Sequence, residues 1–225
     1  MHPSASSTIN FSSLRHRTST GNEHHPRTTA NRAAATNFSK LSQQQVSQFL
    51  SACCRAVSAG FQTTSTDPIV QCVLRNGPWI LQCDVETISN ILWALSRLEA
   101  PDSAARHNFF VNASQKLADN VTSVPSLCIP DVLWALAKTR VPNKKAVRVI
   151  KAHYFQTMKN CFTYLETKKI ANLCWALTVL DEVDFNALST LSPVILDKID
   201  RFSLTEMSNI TWAFAKAKSS QSMAR

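Results

Sequence analysis

Four basic residues, Lys144, Lys145, Arg148 and Lys151, crowd into eight positions of the chain. Positions 144, 148 and 151 stand i, i+4 and i+7 apart, the spacing of one helix face. No acid lies at i±4 to neutralise them, so the like charges repel. The chemistry this suggests is electrostatic capture of phosphate groups, which positions a nucleic acid without reading it. Lys168 and Lys169, at the start of a later helix, extend the same patch. The plainer reading is a solvated helix face. Bond-making chemistry has no comparable candidate. His107 and His153 are isolated from any paired carboxylate, nucleophile or metal set. The seven cysteines contain no CxxC pair and no zinc spacing, and most sit at apolar positions, as reduced, buried thiols do. No enzyme activity and no cofactor are expected.

Charge distribution supports a patch rather than diffuse basicity. Within the formal net charge of +9, residues 138–169 hold nine Lys/Arg against Glu166, and residues 1–66 hold six against Glu23. Residues 67–137 hold four against seven acids, and residues 170–225 five against six. A concentrated patch implies an acidic partner. Only three glycines occur, the last at Gly77, which removes Gly-rich phosphate loops, dinucleotide-binding fingerprints and hairpin-rich sheets. A hydrophobic content of 44% is too high for a wholly disordered chain. No apolar run approaches the roughly 18 residues of a membrane span, so a soluble protein is expected.

The elements that hold these residues follow from an internal repeat. Asn90-Ile-Leu-Trp-Ala-Leu95, Asp131-Val-Leu-Trp-Ala-Leu136, Asn172-Leu-Cys-Trp-Ala-Leu177 and Asn209-Ile-Thr-Trp-Ala-Phe214 are one motif. Trp93, Trp134, Trp175 and Trp212 are spaced 41, 41 and 37 residues apart, and Val46–Cys53 is a degenerate earlier copy. Around Trp93, Ile88, Ile91, Leu92, Leu95 and Leu98 recur at helical spacing. Ser42–Gln45 and Ser203–Glu206 have capping-box form, and Asp84 is a good N-cap. Pro101 and Pro142 each follow their tryptophan by eight residues and stop the helix. Second helical patterns fall at about 103–118, 144–162 and 186–201, and another at 68–83 is interrupted by Gly77-Pro78. In 144–162 the apolar face is Val147, Ile150, Tyr154, Met158 and Phe162.

A helical hairpin of about 40 residues cannot bury its apolar face alone, so neighbours must stack. The expected fold is all-α: an α-solenoid of four to five such hairpins over residues 41–225. Residues 1–40 are basic, hydroxylated and poor in acids, and are read as a disordered leader, a candidate transit peptide. The tryptophans are expected to be buried between helices, with base stacking as the alternative. Ala94, Ala135, Ala176 and Ala213 would then let helices approach closely. Asn90, Asp131, Asn172 and Asn209 would form a hydrogen-bond ladder between units or touch a nucleic acid.

The Trp-Ala-Leu helices resemble the octotricopeptide and heptatricopeptide repeats and the helical repeats of FAST kinase-domain proteins, over roughly residues 42–218. Units of 41 residues are longer than the family pattern, and no proline-rich first helix and no RAP domain is present. With no evident polar cap after the last tryptophan helix, a partner or further chain is expected there. The resemblance implies an organellar RNA-binding factor, in a mitochondrion or plastid, acting in RNA processing, stability, translation or ribosome assembly. Its expected partners are single-stranded RNA and a larger organellar complex, because four or five units would cover only about as many nucleotides. The alternative class is a protein–protein scaffold of HEAT or armadillo type, which the acidic segment 67–137 fits better.

Overall fold

The computed structural model describes residues 68–98, 103–141, 143–158 and 161–223, with Ser42 and Gln45. The leader 1–40, the degenerate copy 46–53, Pro101 and Pro142 lie outside the described residues. Within them the chain is all-helical, with no strand. The helices are α1 (Pro68–Arg75), α2 (Gly77–Ile80), α3 (Val85–Arg97), α4 (Ala104–Asp119), α5 (Ile129–Lys138), α6 (Lys144–Met158), α7 (Thr167–Val179), α8 (Phe185–Asp197) and α9 (Leu204–Met223).

Helix starts are set by short polar side chains, as the sequence suggests. Asp84 accepts from the Thr87 N–H at 2.8 Å and from its hydroxyl at 2.8 Å, opening α3. Burial alone would raise the Asp84 carboxyl, but these bonds hold it below its ordinary value. Ser42 and Gln45 exchange side-chain-to-backbone bonds, as do Ser203 and Glu206 ahead of α9; both boxes close. Asn143 caps α6 at Ala146 and also donates to Ser114 and Gln115 of α4, tying two intervening helices together. The 68–83 pattern breaks where Gly77-Pro78 predicts it. A Cβ on Gly77 would come within 3.3 Å of the Phe109 ring, so glycine lets this turn lie against α4.

The 186–201 pattern is helical over Phe185–Asp197 and continues as a 3-10 turn at Ile199–Arg201. Within 144–162 the described helix is Lys144–Met158, and Phe162 lies in a 3-10 turn, still buried. α5 starts at Ile129 behind a 3-10 turn at Ser126–Cys128. Pro130 has no N–H to donate back to the Ser126 carbonyl, so the first turn cannot close as an α-turn.

The repetition extends to backbone detail. Three 3-10 turns, Val121–Ser123, Phe162–Tyr164 and Ile199–Arg201, begin thirteen residues before Trp134, Trp175 and Trp212. Six residues after Trp134 and Trp175, Arg140 and Asp181 take positive φ, 50° and 58°. There Val141 donates to the Leu136 carbonyl and Glu182 to that of Leu177, at 3.1 and 2.8 Å. These are Schellman ends built on residues other than glycine.

Packing follows chain order: α3 lies on α5, α5 on α7, and α7 on α9, while α4 packs on α6. One buried row is Ile88, Ile91 and Leu95, repeated as Ile129, Val132 and Leu136 and as Ile170, Leu173 and Leu177. A second buried row is smaller: Ser89, Leu92 and Ser96 in α3, Leu133 and Ala137 in α5, Ala171, Cys174 and Thr178 in α7. The alanine after each tryptophan is fully buried in all four helices, which is the close approach the small side chain permits. In α9 the equivalents of the second row, Ser208, Thr211 and Ala215, are exposed, and no described helix covers them.

Candidate nucleic-acid interface

The basic face of α6 carries ion pairs that its own helix does not supply. Lys144, Lys145, Arg148 and Lys151 do share the helix, but three of them meet acids from the turn after α7. Arg148 Nε donates to Glu182 Oε1 at 2.8 Å. Lys151 Nζ donates to the Glu182 carbonyl at 2.8 Å and to Asp184 Oδ2 at 2.7 Å, and approaches Glu182 Oε2 at 3.9 Å. Lys144 reaches Asp181 at a looser 3.6 Å. The repulsion expected along this face is thus relieved by residues more than thirty positions away. Glu182 is buried and would be costly without these cations. Asp184 also caps α8 at Ala187. Burial opposes its ionisation, yet the Lys151 ammonium and the Ala187 N–H hold its carboxyl below the usual value.

Lys169 is similarly engaged, with Asp131 at 2.9 Å and the Leu127 carbonyl at 3.1 Å. Lys198 donates to the Leu165 carbonyl at 2.9 Å. Lys151, Lys169 and Lys198 thus bond backbone carbonyls of distant segments, as Arg106 does at Leu95 and Leu98, a role the motif's asparagines do not take. Lys145 and Lys168 are exposed and form no ion pair with the described residues.

The tryptophans sit at the margin of the core and not inside it. Trp93, Trp134 and Trp175 are half-buried against it, and Trp212 is 47% exposed. Helical geometry explains this. The motif's tryptophan falls between the small buried row and a polar sector holding the residues three before and four after it. That sector reads Asn90-Trp93-Arg97, Asp131-Trp134-Lys138, Asn172-Trp175-Val179 and Asn209-Trp212-Lys216 on consecutive packed helices. The rings of Trp134 and Trp175 are 6.2 Å apart and tilted by 42°. Arg97 lies 5.4 Å from the Trp93 ring centre and Lys138 5.2 Å from that of Trp134, within cation–π range. Asn90, Asn172 and Asn209 are half-buried and make no side-chain hydrogen bond with the described residues. The i, i+4 pairing of Trp with a cation is visible in the sequence at Arg97, Lys138 and Lys216, whereas Arg140, beyond the end of α5, joins them only in the fold.

At one end of this strip lies a cleft of about 590 Å³, walled by the ends of α5 and α7, the start of α6 and the middle of α9. Arg140, Lys144, Asp181, Trp212 and Lys216 line it, over an apolar floor that includes Val147 and Val179. Asp181 lies 3.6 Å from both Lys144 and Lys216.

Among the described residues no three His, Cys, Asp or Glu side chains gather to hold a metal ion, and no helix is long and apolar enough to cross a membrane. His107 and His153 are half-buried. Cys174 is buried, which pushes its thiol up to about 12, while Cys161 is exposed. Compared with protein-family models and with curated proteins, the chain matches none.

Proposed function

We propose that this chain is a helical-repeat protein that binds single-stranded RNA without catalysis. Its tryptophan helices stack as an α-solenoid of four to five hairpins, and it serves RNA processing, stability, translation or ribosome assembly in a mitochondrion or plastid. The observation that carries this reading is the polar–Trp–cation sector, present on three of the four tryptophan helices packed in chain order, with Val179 in the cation's place on α7. Trp212 is 47% exposed and the other three indoles reach the surface in part, so a base can stack along this strip while neighbouring cations hold the phosphates. Asparagine amides on the same strip supply donors and acceptors suited to base edges. The resemblance to octotricopeptide repeats agrees with this class, and the basic, acid-poor leader agrees with organellar import.

The first contacts to test are therefore Arg97, Lys138, Arg140, Lys144 and Lys216, with Lys145 and Lys168 at the periphery. Arg148, Lys151 and Lys169 act as braces. Fluorescence anisotropy of a labelled single strand against the full chain, repeated over a salt series, tests the reading. A log-affinity that falls linearly with log-salt, by about 0.7 per phosphate contact, is expected. Absence of binding at low salt would overturn it.

The scaffold reading has its own observation. Large apolar side chains remain exposed at Tyr164, Phe185, Leu196 and Leu204, residues that suit a protein partner. In that case the full chain would ignore RNA and bind protein through these residues.

A further inference from the structure

The cleft between α5, α6, α7 and α9 combines features that no other described surface brings together. Its volume of about 590 Å³ is in the range of small-ligand sites. One wall is the Trp212 indole, the most exposed of the four motif tryptophans. Three cations, Arg140, Lys144 and Lys216, line it against one acid, Asp181. Both lysines stand 3.6 Å from that acid, with side chains about half exposed. Such loose, solvated pairs are easily exchanged for a stronger anion, unlike the 2.7 Å bond of Lys151 to Asp184. Two of the residues, Arg140 and Asp181, are also the chain's non-glycine positions of positive φ among the described residues.

We infer that this cleft binds a nucleoside phosphate, its base stacked on Trp212 and its phosphate drawn in by Arg140, Lys144 and Lys216 in place of Asp181. A flat aromatic ring beside a concentrated positive field fits a base joined to a phosphate better than either alone. The unit could come from an RNA strand lying along the tryptophan sector or from a free mononucleotide. The first source rests on the RNA reading above; the second does not.

The experiment measures binding of the full chain to adenosine monophosphate and to a short oligoadenylate, for wild type and three variants. Trp212→Leu keeps an apolar side chain on a partly exposed site but removes the ring, and should weaken binding roughly 5- to 150-fold, the span of base–aromatic stacking. Asp181→Asn keeps a residue that tolerates positive φ while removing the negative charge, and should tighten binding about fivefold. Arg201→Gln, an exposed cation outside the cleft, should change little. The opposite signs at Trp212 and Asp181 distinguish a site from a folding defect, which would weaken both. Response of both probes assigns a free nucleotide, and response of the oligomer alone assigns a strand unit. Oligomer binding that neither Trp212→Leu nor Asp181→Asn alters would overturn the cleft and leave the RNA reading intact. Mononucleotide binding without oligomer binding would overturn the RNA reading and leave the cleft. Binding of neither probe would overturn both.

Discussion

Lys151→Met asks directly whether the basic face of α6 is a brace. The substitution keeps an unbranched stem and removes the ammonium. It deletes a 2.7 Å bond to Asp184 Oδ2 and a 2.8 Å bond to the Glu182 carbonyl. Hydrogen bonds to charged groups contribute about 1.5–3 kcal/mol each. Asp184 is half exposed, and water replaces part of its bond, whereas the Lys151 side chain is only 16% exposed and Glu182 only 7%. The sum is then about 2–3 kcal/mol. In a chain of this size each kcal/mol moves the melting temperature by about 2–4 °C, so a drop of roughly 5–10 °C is expected. Lys151→Glu should cost more, because it sets a third carboxylate against Glu182 and Asp184. Thermal and urea denaturation followed by far-UV circular dichroism gives the values, with the exposed Lys145→Met as control, expected within about 0.5 kcal/mol of wild type. If Lys151→Met melts with the control, the pairing is incidental and the face is open to a partner.

Other consequences are as accessible. Arg140→Gly removes a side chain from a positive-φ position and should raise stability by about 1 kcal/mol, read as a higher urea midpoint; a loss would show that the guanidinium holds the turn. Leu133→Ala, at a fully buried site, should cost about 2–5 kcal/mol. Trp134→Ala at the margin should cost about 2–3 kcal/mol, including its ring contacts; the reverse order would place the indole deeper than it lies. Asp84 and Asp184 are held below their ordinary values when folded. Their contribution is therefore present above the unfolded value of about 3.9 and is lost as pH falls through the folded one. The melting temperature should fall below about pH 4, less steeply in Asp184→Asn, and an identical acid profile in that variant would contradict the assignment. Peptide mapping after brief alkylation of the folded chain near neutral pH should label Cys161 and spare Cys174; equal labelling would show that α7 opens readily.

The helices and their apolar rows were legible because both are local. Ile88, Ile91 and Leu95 sit within two turns, and Asp84 and Ser203 announce helix starts in four residues. The fate of the basic face was not legible, because its partners belong to another hairpin. Lys151 meets Asp184 across 33 positions and Lys169 meets Asp131 across 38, so inspection at i±4 could not find them. The depth of the tryptophans is not legible either, because an apolar stripe shows that a sector is buried but not where it stops. Trp93, Trp134, Trp175 and Trp212 lie at that edge, beside Asn90, Asn172 and Asn209. The cleft needed three dimensions: Arg140, Asp181 and Trp212 lie in successive hairpins and converge only when α5, α7 and α9 pack in order.

Photocrosslinking of the full chain to a single-stranded RNA carrying 4-thiouridine, with the attached peptides identified by mass spectrometry, shows which face meets RNA. Adducts are expected in the tryptophan sector, around Trp93–Arg97, Trp134–Arg140 and Trp212–Lys216, and few at Arg148 or Lys151. Adducts concentrated on Arg148 and Lys151, or none anywhere, would contradict that expectation.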